Sequence, residues 1–316
     1  MAQRHIAQAL GTRRPILRAV ATVVAIILAY VLASLPVLGI AVTRESIRNR
    51  GLDATNFNPE ALGLDTASFL ALILLPFAAG LLALWICMRS LYGSRLRMLV
   101  QSPRVGRLRT DRFFAALGLW AALLFVGETV GYLMHREHYS LNADLSTWGP
   151  VALVVCLLIP LQIAFEEIAI RGYLLQQVYA AVRHPLIAVV STSVLFGVLH
   201  FSNPEVAAFG LGRMATYYIG VGLFLGVLTV LDDGLELALG VHLATNLFVT
   251  LAVSYRGAAL PTSSVISTSD VDIPLMLALF VVQAVIFFAA FAKTSPRWRW
   301  SSLTRRNPSY HNPQDV

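Results

Sequence analysis

Charge is scarce in this sequence. Asp, Glu, Lys and Arg make up 13% of its 316 residues, against about 25% in a soluble globular chain. A chain with so little charge cannot cover a water-exposed surface of this size, which excludes an ordinary soluble enzyme. Cysteine is scarcer still: Cys87 and Cys156 both sit in apolar runs, with no CxxC pair. That excludes a disulfide framework, and both are expected to be small buried hydrophobes. Lysine is almost missing, since Arg supplies 23 of the 24 basic residues. There is no repeat of 20–50 residues, no low-complexity tract and no basic domain of the kind that binds nucleic acid. Nor is there a polar stretch long enough to fold alone. The longest are 43–66, 89–112 and 254–271, together with a tail, 293–316, expected to be flexible.

What remains is apolar. Hydrophobic residues reach 57% and the mean hydropathy is +0.70. A helix needs roughly 20 mostly apolar residues to cross a hydrocarbon core about 30 Å thick. Candidate spans lie near 19–42, 68–88, 113–134, 150–175, 185–202, 214–231, 235–254 and 273–292. Long continuous runs in lipid are helical because a helix satisfies its own backbone. The expected fold is therefore an all-α polytopic membrane protein of about eight transmembrane helices. The first span follows Arg4, Arg13, Arg14 and Arg18, like the charged start of a secretory signal. It is nevertheless far longer than a signal's apolar core, so it is read as a retained helix.

Arginine placement gives an orientation. With the N-terminus inside, 17 basic residues fall on the cytoplasmic side, seven of them between Arg89 and Arg112, and 6 on the other. The positive-inside rule then puts both termini in the cytoplasm of a multi-pass cell-membrane protein. The net charge of +7 is a topology signal that also attracts anionic headgroups of the bilayer. The chain divides into residues 1–149, three helices with a basic loop and expected at the periphery; 150–254, helices four to seven; and 255–316, the last helix and the tail.

Ionisable residues inside spans are rare and point to function by default. Here they concentrate in the later helices. The fourth span carries Glu166, Glu167 and Arg171 in "EEIAIRG", the fifth ends in "FGVLH" with Phe196 and His200, and the seventh holds His242 and Asn246 in "HLATN". Glu128 stands alone in the third and is read as structural. Glu167 and Arg171 are four apart, share a helix face and can pair. Glu166 is rotated about 100° from Glu167, free to face another helix. His242 and Asn246 also share a face. The fourth and fifth spans read as a hairpin turning near Arg183, with Glu166 17 residues before the turn and His200 17 after. Equal rise puts both at one depth, so Glu166 is expected to touch His200.

These parts suit water activation. A carboxylate beside an imidazole makes a general base, and a histidine with an amide makes a donor pair for an oxyanion. The same residues allow an alternative, in which Glu166, His200 and His242 hold a catalytic zinc with an open position. A transporter would more often show paired repeats and broken helices in both halves. A non-catalytic scaffold or immunity protein needs none of this set intact.

The three motifs resemble EExxxR, FxxxH and HxxxN of the CAAX protease and bacteriocin-processing (Abi) family, whose best-known members are the type II CAAX prenyl endopeptidases. The resemblance covers about residues 150–250. It implies an integral-membrane endopeptidase acting on a membrane-anchored peptide or protein. In that scheme Glu166 and His200 activate water, Arg171 fixes Glu167, and His242 with Asn246 stabilises the oxyanion. Descriptions of the family divide between a zinc enzyme and a metal-independent glutamate protease. The second is preferred here, with no cofactor, because Glu166 and His200 already supply a base. Ile170 departs from the aromatic that many members place before the arginine. The arginine bias fits a GC-rich bacterial genome, where prenylated CAAX proteins are not expected, so the resemblance implies a reaction and leaves the client open.

Overall fold

In the computed structural model, residues 5–8, 15–47, 58–141, 145–255, 257–262, 264–295 and 298–304 are described. Arg4, Arg13, Arg14, Arg48, Arg50, Arg256, Arg297, Arg305 and Arg306 lie outside these residues, as do 305–316 of the expected flexible tail.

The chain is a bundle of helices: α1 (Pro15–Ile47), α2 (Pro59–Leu62), α3 (Thr66–Ser90), α4 (Thr110–Met134), α5 (Leu145–Glu167), α6 (Leu175–Val182), α7 (Pro185–Leu199), α8 (Pro204–Phe209), α9 (Leu211–Asp232), α10 (Glu236–Leu247) and α11 (Ile273–Thr294). Among the described residues, six helical stretches are long and apolar enough to cross a membrane, with α5 and α6 joined into one of 37 residues. The two remaining expected spans are shorter. α7 has 15 residues, and α10 with its extension ends at Ala252. The first is stopped by the turn before Pro204, and the second leaves the bundle as a strand. Leu17, Val20, Val24, Ile27 and Val31 of α1 and Val281, Val282 and Val285 of α11 face outward. An apolar exterior of this kind matches a lipid surround.

Local chemistry sets the boundaries. Asp65 caps α3 by accepting from the Ser68 backbone N–H at 2.9 Å, and the Ser68 hydroxyl bond holds its carboxyl below the usual range. α6 ends on Arg183 in the left-handed region (φ 55°), which places the expected hairpin turn where α7 begins. Cys87 is buried, but Cys156 faces outward from α5, correcting the expectation that both are interior.

Of the three N-terminal spans, α4 packs along α10. A Cβ on Gly240 would lie 2.5 Å from the Phe113 carbonyl, so only glycine permits that approach. Trp120 of α4 packs in a buried aromatic group with Phe224 and Phe287 and donates its indole N–H to Thr245 Oγ1 at 2.9 Å.

The connections segregate to two ends. At one end, three short strands, β1 (Tyr139–Leu141), β2 (Val253–Tyr255) and β3 (Ile266–Thr268), pair in the order β1-β3-β2. β1–β3 is antiparallel in the register Tyr139↔Thr268, and β2–β3 is parallel with Val253↔Ile266. The opposite end holds a clamp around the α9–α10 turn. Arg109 Nη2 lies 2.9 Å from Asp232 Oδ2 and 2.5 Å from Glu236 Oε2. Arg112 pairs with Asp232, and Arg104 Nε is 3.2 Å from Asp233. The His5 backbone N–H donates to Asp233 at 2.8 Å and the Trp298 indole to Asp232 at 3.1 Å. The α9–α10 turn thus gathers the basic loop, His5 and Trp298. Burial opposes the Arg109 charge, but its bonds to Glu236 and Asp232 prevail and hold its pKa above the ordinary value. Arg109→Ala leaves Asp232 and Glu236 facing a lost partner, and breaking a buried pair costs about 3–5 kcal/mol. Thermal melting of the detergent-solubilised variant should show a large fall in Tm. An unchanged Tm would show that the clamp carries no stability.

Candidate active site

α5 brings Gln162, Glu166 and Glu167 to the middle of the bundle, and directly after them the helix widens into a π segment, Ile168–Leu174. α10 does the same after its own polar pair, with a π segment at Phe248–Ala252. Such bulges re-aim side chains and gather at functional sites. Here each borders one of the motifs read from the sequence.

Glu167 is the hub. It is fully buried, and its Oε1 accepts from Arg171 Nη1 at 2.8 Å and from His242 Nδ1 at 2.7 Å. The expected pairing with Arg171 is present, while the bond to His242 adds a role the sequence reading missed. Because a carboxylate oxygen accepts, His242 carries its proton on Nδ1 in this contact and presents Nε2 to Glu166, with 3.7 Å to Oε2. Arg171 is buried as well, with its guanidinium 4.2 Å from the centre of the Phe196 ring, a cation–π contact. Phe196 in turn lies 4.3 Å from the His200 ring. The arginine of one motif and the histidine of another are therefore held against the same aromatic ring.

The expected contact between Glu166 and His200 is replaced. Glu166 Oε1 accepts from Gln162 Nε2 at 3.1 Å, and the histidine within ion-pair reach of Glu166 is His242. His200 caps the end of α7. Its Nδ1 donates to the Phe196 carbonyl at 2.7 Å, and its ring lies 4.8 Å from that of Tyr218. Glu166 and His200 nevertheless line one cavity of about 860 Å³. The direction fails because His200 stands beyond the last full turn and folds back over it. Asn246 and His242 line the same cavity.

Some lining residues carried a signal that went unused. Gln162 is four residues before Glu166, on its face of the helix. Glu205, buried at 4% exposure, accepts from Tyr255 Oη at 3.1 Å and from the Ala259 N–H at 2.7 Å. It is the acidic residue between His200 and Arg213 in the sequence. Tyr218 Oη accepts from Asn203 Nδ2 at 3.2 Å. Glu128, read as alone, accepts from Tyr139 Oη at 2.6 Å.

Residues 146–248 match the family model "Type II CAAX prenyl endopeptidase Rce1-like". This segment, about a third of the chain, is similar to that family. Glu166, Glu167, Arg171, His200, His242 and Asn246 all fall within it. The uncharacterized protein YyaK of Bacillus subtilis (strain 168) is 28% identical over 173 residues, covering 54% of this chain and 57% of that protein. The chain thus spans little more than half the length of the curated relative it matches. No solved structure matches.

Proposed function

We propose that the chain is a membrane-embedded endopeptidase that hydrolyses a peptide bond of a membrane-anchored protein or peptide. The observation that carries the reading is the convergence of Glu166, His200, His242 and Asn246 on one cavity inside an apolar bundle. Glu166 takes a proton from a water held between it and His200, whose Nδ1 is occupied and whose Nε2 is free to orient that water. The hydroxide adds to the carbonyl carbon. His242 Nε2 and Asn246 Nδ2 donate to the resulting oxyanion, and for His242 this uses the doubly protonated ring, since Nδ1 already donates to Glu167. When the C–N bond breaks, Glu166 returns its proton to the leaving amine.

The zinc alternative fits less well. Three donors around one zinc must converge. Among the described residues, the one group of three His, Asp, Glu or Cys with all ligand atoms within 4.8 Å of each other is His135, Glu137 and His138, not Glu166, His200 and His242. The orientation with both termini cytoplasmic rests on the arginine count, and it agrees with the basic loop, His5 and Trp298 meeting at one end of the bundle.

The test is cleavage of a generic membrane-anchored peptide by the purified protein, with and without a chelator. Hydrolysis that persists in chelator supports the water-activating glutamate. Hydrolysis that stops, returns with zinc, and accompanies a metal lost in both His200→Ala and His242→Ala makes the site a zinc centre. No cleavage of any anchored peptide sinks the peptidase reading.

A further inference from the structure

A second group of histidines and carboxylates lies at the strand end of the bundle, apart from the large cavity. His135 closes α4, and the chain turns through Glu137 and His138 before entering β1. Their ligand atoms lie within 4.8 Å of one another. Asp272, at the start of α11, stands next to this group, with its Oδ2 3.4 Å from His135 Nε2. His138 Nε2 is 3.8 Å from Glu137 Oε1.

Both separations are within ion-pair reach, although longer than the roughly 2.7–3.2 Å of a nitrogen–oxygen hydrogen bond. His135 Nε2 is shielded from solvent yet has no hydrogen-bond partner. The separations also approach the edge of a tetrahedron of ligands around zinc, about 3.4 Å for bonds of about 2.1 Å. The surrounding contacts agree. His138 Nδ1 is 3.4 Å from Ser269 Oγ, the outer-shell contact that fixes a ligating ring. Asp272 uses its other oxygen, Oδ1, to cap α11 at 2.9 Å from the Leu275 N–H, so its Oδ2 is held in place. Arg136, the neighbouring cation, sits over the Tyr132 ring at 5.8 Å. Two imidazoles with two carboxylates neutralise a divalent ion and suit zinc-like metals better than calcium or magnesium.

We propose that His135, Glu137, His138 and Asp272 bind a divalent transition metal of the zinc type, fastening the end of α4 to the start of α11 beside the small sheet. None of the four lines the large cavity. The site is therefore independent of the peptidase reading, and it would add a metal that a mechanistic metal analysis could mistake for a catalytic one.

The experiment titrates Zn²⁺ alone into the full-length protein in detergent, stripped of metal, by calorimetry, with the visible spectrum of bound Co²⁺ as a second readout. One equivalent should bind the wild type and His242→Ala alike, raising Tm in both. His138→Ala and Asp272→Asn should each weaken binding at least about tenfold. Asp272→Asn retains an oxygen to cap α11, so its result does not depend on a misfolded helix. Absence of saturable Zn²⁺ binding by the wild type overturns the proposal. So does binding that both variants leave unchanged, or binding that disappears in His242→Ala.

Discussion

Glu166→Gln should give a folded protein, with the wild-type Tm, that hydrolyses peptide roughly a hundredfold to ten-thousandfold more slowly, the range lost with a general base. The amide can still accept from Gln162, and its shape is conserved, so packing around α5 is undisturbed. What it cannot do is take the proton of water. Glu167→Gln behaves differently, because Glu167 accepts from Arg171 and His242 through one oxygen. Loss of that charge leaves Arg171 buried without its counterion, at about 3–5 kcal/mol, and frees the His242 ring to turn. Tm and rate should fall together there. A Glu166→Gln protein with full activity removes the base from the mechanism, and equal Tm losses in both variants remove the division of labour between the two glutamates.

That division was only half legible in the sequence. Spacing along one helix is a local property, so the Glu167–Arg171 pair follows from 3.6 residues per turn and appears as expected. Glu166 and His200 do reach one cavity. The direction in which a side chain points around its helix depends on where that helix stops being regular. The π segment at Ile168–Leu174 begins one residue after Glu167, and α7 ends one residue before His200. Neither irregularity has a periodic signature, and together they exchange the expected partner of Glu166, His200, for His242.

The arginines teach a related lesson. Counting them by side gives an orientation, and the count treats each as a free charge near a headgroup. Arg104, Arg109 and Arg112 are instead committed to Asp232, Asp233 and Glu236, two of which the sequence offers only as a short polar break between spans. The strands were not legible for a simpler reason. Three residues each are too few for an alternating pattern, and they form only because the loops at that end of the bundle lie side by side.

Asn246→Ala should lower kcat by roughly a hundredfold to a thousandfold, the usual effect of deleting one oxyanion donor, with KM little changed. The reason lies in timing. A carbonyl oxygen in the bound peptide carries little charge, so a donor aimed at it adds little to binding, whereas the tetrahedral intermediate concentrates a full negative charge on that atom. Asn246 lines the cavity one helical turn from His242, so the two can reach one oxygen. In α10 its backbone carbonyl accepts from Thr250 Oγ1 at 2.6 Å, a bond that the alanine variant keeps, and Tm should therefore hold. Donors that act on the same atom are not additive, so Asn246→Ala combined with His242→Ala should be far less than the product of the single losses. A multiplicative double variant would mean that the two residues act on different steps. A rise in KM with kcat preserved would make Asn246 a substrate-binding residue and leave the oxyanion to His242 alone.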